Sequence, residues 1–197
     1  MFQVRIHGRG GQGVVTAAEL LSVAAFAEGR HAQAFPSFGS ERTGAPVVAF
    51  ARIADTPIRV REPVMAPDAL IVQDATLLHQ VDVFAGLRPE GLVLINSSRE
   101  PSALGVTGQD LGGRAVRIVT VPATELALQH VGRPVPNAVL LGAFAAMSGL
   151  VSLDAVQRAL RERFRGKVAE GNVAAAAAAY ELVITRRTEA SSGAQAG

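Results

Sequence analysis

The chain has 197 residues, of which 49% are hydrophobic; this length and composition suit one globular domain and exclude an intrinsically disordered chain. Nineteen basic and 17 acidic residues give a formal net charge of +2, and without a dense basic run we expect no nucleic-acid-binding surface. There is no cysteine, which excludes disulfides and thiolate ligands for zinc, haem or iron–sulfur clusters. We find neither a secretory-type apolar stretch nor an uncharged apolar run of about 18 residues, so we expect a cytoplasmic protein that does not enter a membrane.

A strand, a glycine-rich loop and a helix are predicted at the start of the chain. Residues 2–7 are mostly strand formers and residues 8–13 have the sequence GRGGQG. Residues 14–28 are rich in helix formers, with Gly29 placed as a C-terminal cap. This order is typical of the first βα unit of an α/β protein. The Pro, Gly and Ser residues of 31–46 then predict a long loop.

The rest of the chain predicts a hairpin followed by alternating strands and helices. Residues 47–53 and 58–61 flank the turn signal ADTP and are expected to pair as an antiparallel hairpin. Three buried strands are predicted, at residues 69–73, 92–95 and 116–121. Five helices are predicted, at residues 76–84, 123–131, 137–148, 153–164 and 168–186. We expect a single domain over residues 1–188 and a flexible tail of small residues over 189–197.

Apolar strands that alternate with helices indicate an α/β fold. We predict a doubly wound, mostly parallel sheet with an inserted antiparallel hairpin and C-terminal helices. In such sheets, binding sites form outside the carboxyl ends of the strands. Four segments are expected at that edge: residues 8–13, the loop 36–46, Asp74, and residues 96–98. Their convergence predicts where the functional site lies.

The glycine loop has the spacing G-x-G-x-x-G between a predicted strand and a predicted helix. Glycines let the backbone approach a phosphate closely, and a helix N-terminus supplies N–H donors. A nicotinamide-binding domain would also carry an acid about 20 residues further on, at the end of the second strand. Residues 31–37 contain none. The motif by itself leaves dinucleotide binding, phosphate or partner contact, and a turn without a ligand open.

The loop FPSFGSERTGAP carries hydroxyl groups beside an adjacent acid and base, Glu41 and Arg42. An arginine can clamp a phosphate or carboxylate with two hydrogen bonds. The alternative is that both charges are solvated and that the phenylalanines fill the core. Of the other candidates, Asp74 is interpreted as a residue that starts a helix, with a site acid as the alternative, and Asn137 as a residue that starts a helix rather than one that contacts substrate.

The chain shows no catalytic constellation of its own. The four histidines have no metal-ligand spacing, and there is neither a nucleophile elbow nor a paired carboxylate. We therefore predict no catalytic residue and no metal site in this chain. This absence indicates a subunit whose partners carry the chemistry.

Three segments together resemble a known family. GRGGQGVVTAAELLSVAAFAEG, FPSFGSERTGAPVVAFARI and PDALIVQDATLL are similar to the gamma subunit of 2-oxoacid:acceptor oxidoreductases, the pyruvate:ferredoxin oxidoreductase or pyruvate synthase family. The resemblance covers most of residues 2–185 and is far more specific than the glycine motif alone. It implies a Rossmann-like domain.

The resemblance also implies an activity and its partners. Such an enzyme converts a 2-oxoacid and coenzyme A to acyl-CoA and CO2, with a pyruvate-like substrate or an aromatic one such as phenylglyoxylate. Thiamine diphosphate, Mg and [4Fe-4S] clusters would be held by alpha, beta and ferredoxin-like delta subunits, and ferredoxin or NAD would accept the electrons. This chain would bind none of these cofactors alone and would supply architecture. The alternative is a stand-alone nucleotide-binding Rossmann protein.

The residues that match the family's motifs are Gly8, Gly10, Gly11, Gln12 and Gly13 in the first, and Ser40, Glu41, Arg42, Gly44, Ala45 and Pro46 in the second. Our hypothesis is that the glycine loop and Arg42 face the active-site entrance and contact coenzyme A phosphates or an alpha or beta subunit. The alternative is that both motifs shape a subunit interface without a ligand. Thr43 departs from the pattern, because many relatives carry a second arginine there.

Overall fold

A six-stranded sheet forms the centre of the fold in a computed structural model that describes residues 1–37, 43–106 and 110–195. The strands are β1 (Phe2–Arg9), β2 (His31–Pro36), β3 (Pro46–Ala54), β4 (Ala69–Val72), β5 (Leu92–Asn96) and β6 (Arg117–Val121). The helices are α1 (Val14–Ala27), α2 (Ala123–Val131), α3 (Asn137–Ser148), α4 (Leu153–Arg163) and α5 (Gly166–Gln195). Two short 3-10 helices span Ala75–His79 and Pro101–Leu104.

The strand order is β2-β3-β1-β4-β5-β6. Strands β1, β4, β5 and β6 are parallel, whereas β3 is antiparallel to both of its neighbours. After β1 the chain crosses through α1 to β2 on one side, and after β4 it continues to β5 on the other. Successive connections therefore run in opposite directions across the sheet from the boundary between β1 and β4, and α/β proteins bind ligands at such a switch point. The predicted class, a mostly parallel, Rossmann-like α/β sheet, is confirmed.

The two faces of the sheet are covered differently. All five described α-helices contribute to the larger hydrophobic core, which includes Ile6, Ile71 and Phe144. The smaller core on the other face contains Leu70 and Val72 of β4 together with residues from the 3-10 helices and the irregular connections. A helix is predicted over residues 76–84, but only the 3-10 helix Ala75–His79 forms there. After this 3-10 helix the chain is irregular, and its later residues Val83 and Phe84 belong to the smaller core.

The predicted partner of β3 is wrong. Strand β3 pairs with β2, in the segment predicted to be a loop, whereas residues 58–61 form no strand. Ala32 and Ala34 of β2 pack against the larger core, and weak strand formers of this kind give little local signal. The carbonyls of Val60 and Glu62 accept hydrogen bonds from the buried guanidinium of Arg52 instead of forming a ladder.

Strands β4, β5 and β6 and helices α2, α3 and α4 confirm their predictions to within about one residue. The last helix is longer than predicted, because its backbone is helical through Gln195 rather than ending at Arg186. The segment after Arg186 contains no proline that would end a helix. The flexibility of residues 189–197 and the domain boundary at 188 stay predictions; residues 196–197 lie outside the described part. No helix within the described residues has the length and apolar character to cross a membrane.

Candidate functional site

The glycine loop connects β1 to α1 at the carboxyl edge of the sheet. Gly11 and Gly13 have φ angles of 94° and 71°, in the left-handed region that glycine adopts without strain. Gly13 is the N-cap of α1 and provides no capping side chain. The first intrahelical hydrogen bond runs from Ala17 N to Gly13 O, so the preceding N–H groups of the helix have no intrahelical partner. This arrangement suits an anion.

Gly8 serves the packing of the strand against the helix. A Cβ atom at this position would lie 2.5 Å from Val14 Cγ2 and 3.2 Å from Gln73 Cβ. Only glycine lets the end of β1 approach α1 this closely. Gly8, one of the predicted site residues, therefore has a packing role: it allows the end of β1 to lie close to Val14 and Gln73.

The predicted convergence of the two motifs is observed where the second motif is described. Gly10 N donates to Ala45 O at 2.9 Å, and Gly44 N donates to Gly10 O at 3.2 Å. Pro46 begins β3, opposite Arg9 of β1. Three further predicted site residues, Ser40, Glu41 and Arg42, lie outside the described residues.

Arg9, which the sequence analysis did not single out, connects the loops. Its guanidinium donates to Asp74 Oδ2 at 2.9 Å, Gly44 O at 3.1 Å, Thr76 Oγ1 at 2.7 Å and Gln80 Oε1 at 2.8 Å. These partners come from two loops and from the first 3-10 helix. The sequence signal that could have identified Arg9 is its position inside the glycine motif, where it is the last residue of β1.

Gln12 and Asp74 complete this network. Gln12 Oε1 accepts from Arg9 N at 2.7 Å, and its Nε2 donates to Asp74 Oδ2 at 3.2 Å. Asp74 caps the 3-10 helix through Thr76 N, as predicted. Burial alone would raise the pKa of Asp74, but hydrogen bonds from Thr76, Gln12 and Arg9 outweigh it and lower that pKa below its usual value.

A second group of polar side chains lies under the loop, at the ends of β4 and β5. Asn96 Nδ2 donates to Gln73 O and to Thr124 Oγ1, both at 2.8 Å, and Asn96 Oδ1 accepts from Thr124 N. The Gln73 side chain is fully buried, and neither amide atom has a hydrogen-bond partner within the described residues. Asn137 starts α3, as predicted, and its Nδ2 would lie 2.5 Å from a Cβ atom on Gly13.

Arg5 and His7 lie side by side on β1, on the face opposite to Ile6, which belongs to the larger core. Arg5 Nε donates to His7 Nε2 at 3.1 Å, and the guanidinium also donates to the carbonyls of Val83 and Ala85. Burial, reinforced by the charge of Arg5, lowers the pKa of His7 to about 3. His7 is therefore neutral at physiological pH.

These elements surround a cleft of about 310 Å3, called here the glycine-loop cleft. Its lining comprises the loop, the first turn of α1 and one residue of β3, and its members are Arg9, Gly10, Gly11, Gly13, Val14, Val15, Thr16 and Val47. The N–H groups of the first turn of α1, which have no intrahelical partner, bring partial positive charge to the cleft, whereas the charge of Arg9 is paired with Asp74. No cluster of three or more metal-ligating side chains occurs in the part of the chain that the structure describes.

The fold and the site define a Rossmann-like α/β domain with a glycine loop between β1 and α1 at its strand switch point. The chain belongs to the pyruvate ferredoxin/flavodoxin oxidoreductase family, which matches residues 3–182. The resemblance inferred from the sequence is thereby confirmed.

Similar proteins include pyruvate synthase subunit PorC from Methanothermobacter thermautotrophicus, 49% identical over 93% of this chain and 96% of that protein. The common gamma subunit of pyruvate/ketoisovalerate oxidoreductases from Pyrococcus furiosus is 45% identical over 92% of this chain and 96% of its own length. The crystal structure of pyruvate oxidoreductase subunit PORC from Thermotoga maritima has a TM-score of 0.79 and 36% identity, covering 91% of this chain and 95% of that one. These similarities do not favour a stand-alone nucleotide-binding protein.

Proposed function

We propose that this chain is the gamma subunit of a multisubunit oxidoreductase that converts a 2-oxoacid and coenzyme A to acyl-CoA and CO2. The observation that carries the proposal is the end-to-end similarity to subunits of pyruvate synthase, at 49% identity over 93% of the chain. The absence of cysteine from the sequence is consistent with a division of labour in which other subunits hold the iron–sulfur clusters.

The proposed partners are alpha and beta subunits that hold thiamine diphosphate and Mg, and a ferredoxin-like delta subunit that carries [4Fe-4S] clusters. Ferredoxin or NAD would accept the electrons through those subunits. We place the enzyme in the cytoplasm. For the substrate we propose a pyruvate-like 2-oxoacid, with an aromatic one such as phenylglyoxylate as the second candidate.

Within this assembly, the glycine-loop cleft is proposed to contact the phosphates of coenzyme A. Two features support this role: the N–H groups at the start of α1, which have no intrahelical partner, and the open space at Gly11, where nothing lies within 4 Å of the Cβ position. Arg9 adds positive charge, although its donors are occupied by the neighbouring loops. A contribution from Ser40, Glu41 and Arg42 stays a prediction.

The first experiment is a gentle anaerobic purification of the tagged chain from its own host. We expect larger subunits to co-purify with iron and thiamine diphosphate, and the sample to reduce an acceptor with pyruvate, 2-oxoisovalerate or phenylglyoxylate in a coenzyme A-dependent reaction. A clean monomer or homodimer without either cofactor would contradict the proposal.

The contact with coenzyme A is tested by a charge change in the cleft. Gly10→Asp places a carboxylate where the phosphate would bind, and Gly10→Asn is the matched neutral control of nearly the same size. We expect the Asp variant to raise the apparent KM for coenzyme A about tenfold or more above that of the Asn variant, since a charge-assisted hydrogen bond contributes about 1.5–3 kcal/mol. Equal KM values in an intact assembly would refute the contact and would leave a role in the subunit interface.

A further inference from the structure

An open groove, called here the α1–α4 groove, lies between these two helices and has a volume of about 360 Å3. The helices are antiparallel, because Ser152 N at the start of α4 donates to Glu28 Oε1 just after the end of α1, at 3.1 Å. The groove begins more than one turn into α1 and follows the helix away from the glycine loop. Its lining comprises Glu19, Leu20, Val23, Ala159, Glu162 and Arg163.

Helix α1 is unusually apolar for a helix with an exposed side. Glu19 is the only charged residue among its 14 residues, yet Val23 is 38% exposed and Phe26 is 73% exposed. These two residues follow Glu19 by four and seven positions, so the three form one stripe along the helix. A helix that is apolar on all sides is normally buried on all sides. The exposed stripe therefore indicates a surface that another protein segment covers.

The floor of the groove is apolar and is bounded by a small side chain. Leu20 of α1 and Ala159 of α4 are both buried there. Because alanine fills little of the space between the two helices, a row of side chains from a third helix can enter it. Helices pack in this way, with the side-chain ridges of one in the groove of another.

Two carboxylates flank this floor, Glu19 on α1 and Glu162 on α4. Neither makes an ion pair or a hydrogen bond with a residue that the structure describes. The exposed arginines of α4 are used elsewhere: Arg158 and Arg161 form ion pairs of 3.1 and 3.0 Å with acids of α4 and α5. Arg163 lies over the ring of the following phenylalanine, 5.6 Å from its centroid. The two carboxylates thus remain available to cations from outside the groove.

These charges fit a basic partner better than a second copy of this chain. Helix α1 contains neither lysine nor arginine, so a contact between two copies of α1 would bring acids together without a cation. The ion-paired arginines of α4 would have to leave their present partners to supply one. Like charges across an interface disfavour a complex. The complementary surface is therefore a helix that carries its own lysines or arginines.

We propose that the α1–α4 groove binds a basic amphipathic helix of another subunit. Apolar side chains of that helix lie on Val23 and Phe26, at the spacing of three or four residues that a helix in a groove presents. Its lysines or arginines lie beside Glu19 and Glu162. The proposal rests on the proposed function in one respect, the assignment of the helix to a partner subunit of the same enzyme.

The first test is photocrosslinking in the purified assembly. Phe26 is replaced by the photoreactive residue p-benzoylphenylalanine, and the crosslinked peptide is identified by mass spectrometry. We expect a crosslink to a helix of another subunit that carries lysine or arginine within one turn of the crosslinked residue. A crosslink to a second copy of this chain or to a segment without a basic residue overturns the proposal. So does the lack of any crosslink in an assembly that retains this chain.

The second test measures the dissociation of this chain from the assembly, by mass photometry over a dilution series. Phe26→Ser should raise the dissociation constant at least about tenfold, whereas Leu128→Ser, at an exposed leucine of α2 outside the groove, is the matched control. Glu19→Gln/Glu162→Gln should also raise the constant and should weaken its dependence on salt, with Glu181→Gln on an exposed position of α5 as the control. Equal constants in each variant and its control overturn the proposal.

Failure of this proposal and failure of the proposed function give different results. An assembly that oxidises 2-oxoacids with coenzyme A but gives no crosslink from position 26 contradicts the groove as a docking site and leaves the function standing. An assembly that gives the expected crosslink but has no oxoacid-dependent activity contradicts the proposed function alone.

Discussion

The close approach of Gly13 to Asn137 predicts how much a side chain at position 13 would lower the free energy of unfolding. Gly13→Ala forces a non-glycine residue to a φ of 71°, which costs about 1–2 kcal/mol. The new Cβ atom would also lie 2.5 Å from Asn137 Nδ2, and overpacking of this kind costs a further ~1–3 kcal/mol. We therefore expect the free energy of unfolding to fall by about 2–5 kcal/mol.

Gly29→Ala is the matched control, because Gly29 has a φ of 79° and nothing lies within 4 Å of its Cβ position. It should show the backbone cost alone. The two variants are compared by urea unfolding, followed by far-ultraviolet circular dichroism, in the unmodified chain and in an Asn137→Ala background. Because alanine removes the atom that clashes, the excess cost of Gly13→Ala over Gly29→Ala should nearly vanish in that background.

Two results would refute this reasoning. Equal costs for Gly13→Ala and Gly29→Ala in the unmodified chain would mean that the loop moves away without a penalty. An excess cost that persists without the Asn137 side chain would mean that the contact between α1 and α3 is not its source.

The other predictions concern three partly or fully buried ionisable groups. The pKa of His7 is lowered to about 3 in the folded state, so between this value and about 6.5 only the unfolded state binds a proton at His7. The free energy of unfolding should therefore fall as the pH drops from about 6.5 toward 3. His7→Gln should flatten that part of the profile when stability is measured by urea unfolding. The pKa of Asp74 is also lowered, but for an acid the stabilisation is present above about pH 3.9 and is lost as the pH falls through the pKa of the folded state. Asp74→Asn should remove this loss. An unchanged fall of stability at acidic pH in the variant would contradict the prediction. Arg52→Met should destabilise the fold by about 2–4 kcal/mol, since four hydrogen bonds to the guanidinium are lost, and should speed tryptic cleavage after Arg59 and Arg61. Cleavage at the unmodified rate would show that Arg52 does not hold this segment.

Much of the site could be predicted from the sequence because the patterns that mark it involve residues close together in the chain. The spacing of the glycines between a strand and a helix is sufficient to place the loop at the carboxyl edge, and Asp74 has the position of a helix cap. Arg9 was missed because its partners Asp74 and Gln80 are 65 and 71 residues away, a separation that no local pattern reports.

By itself, the sequence determined the α/β class, the first βα unit, the buried strands β4 to β6 and the helices α2 to α4. Runs of apolar residues and helix caps fix such elements through contacts between near neighbours. Only the tertiary structure decided that β3 pairs with β2, because Arg52 holds the carbonyls of Val60, within the competing segment 58–61, and of Glu62 just after it. It also decided which side chains meet around the glycine-loop cleft, since those contacts depend on how distant segments pack rather than on any local preference.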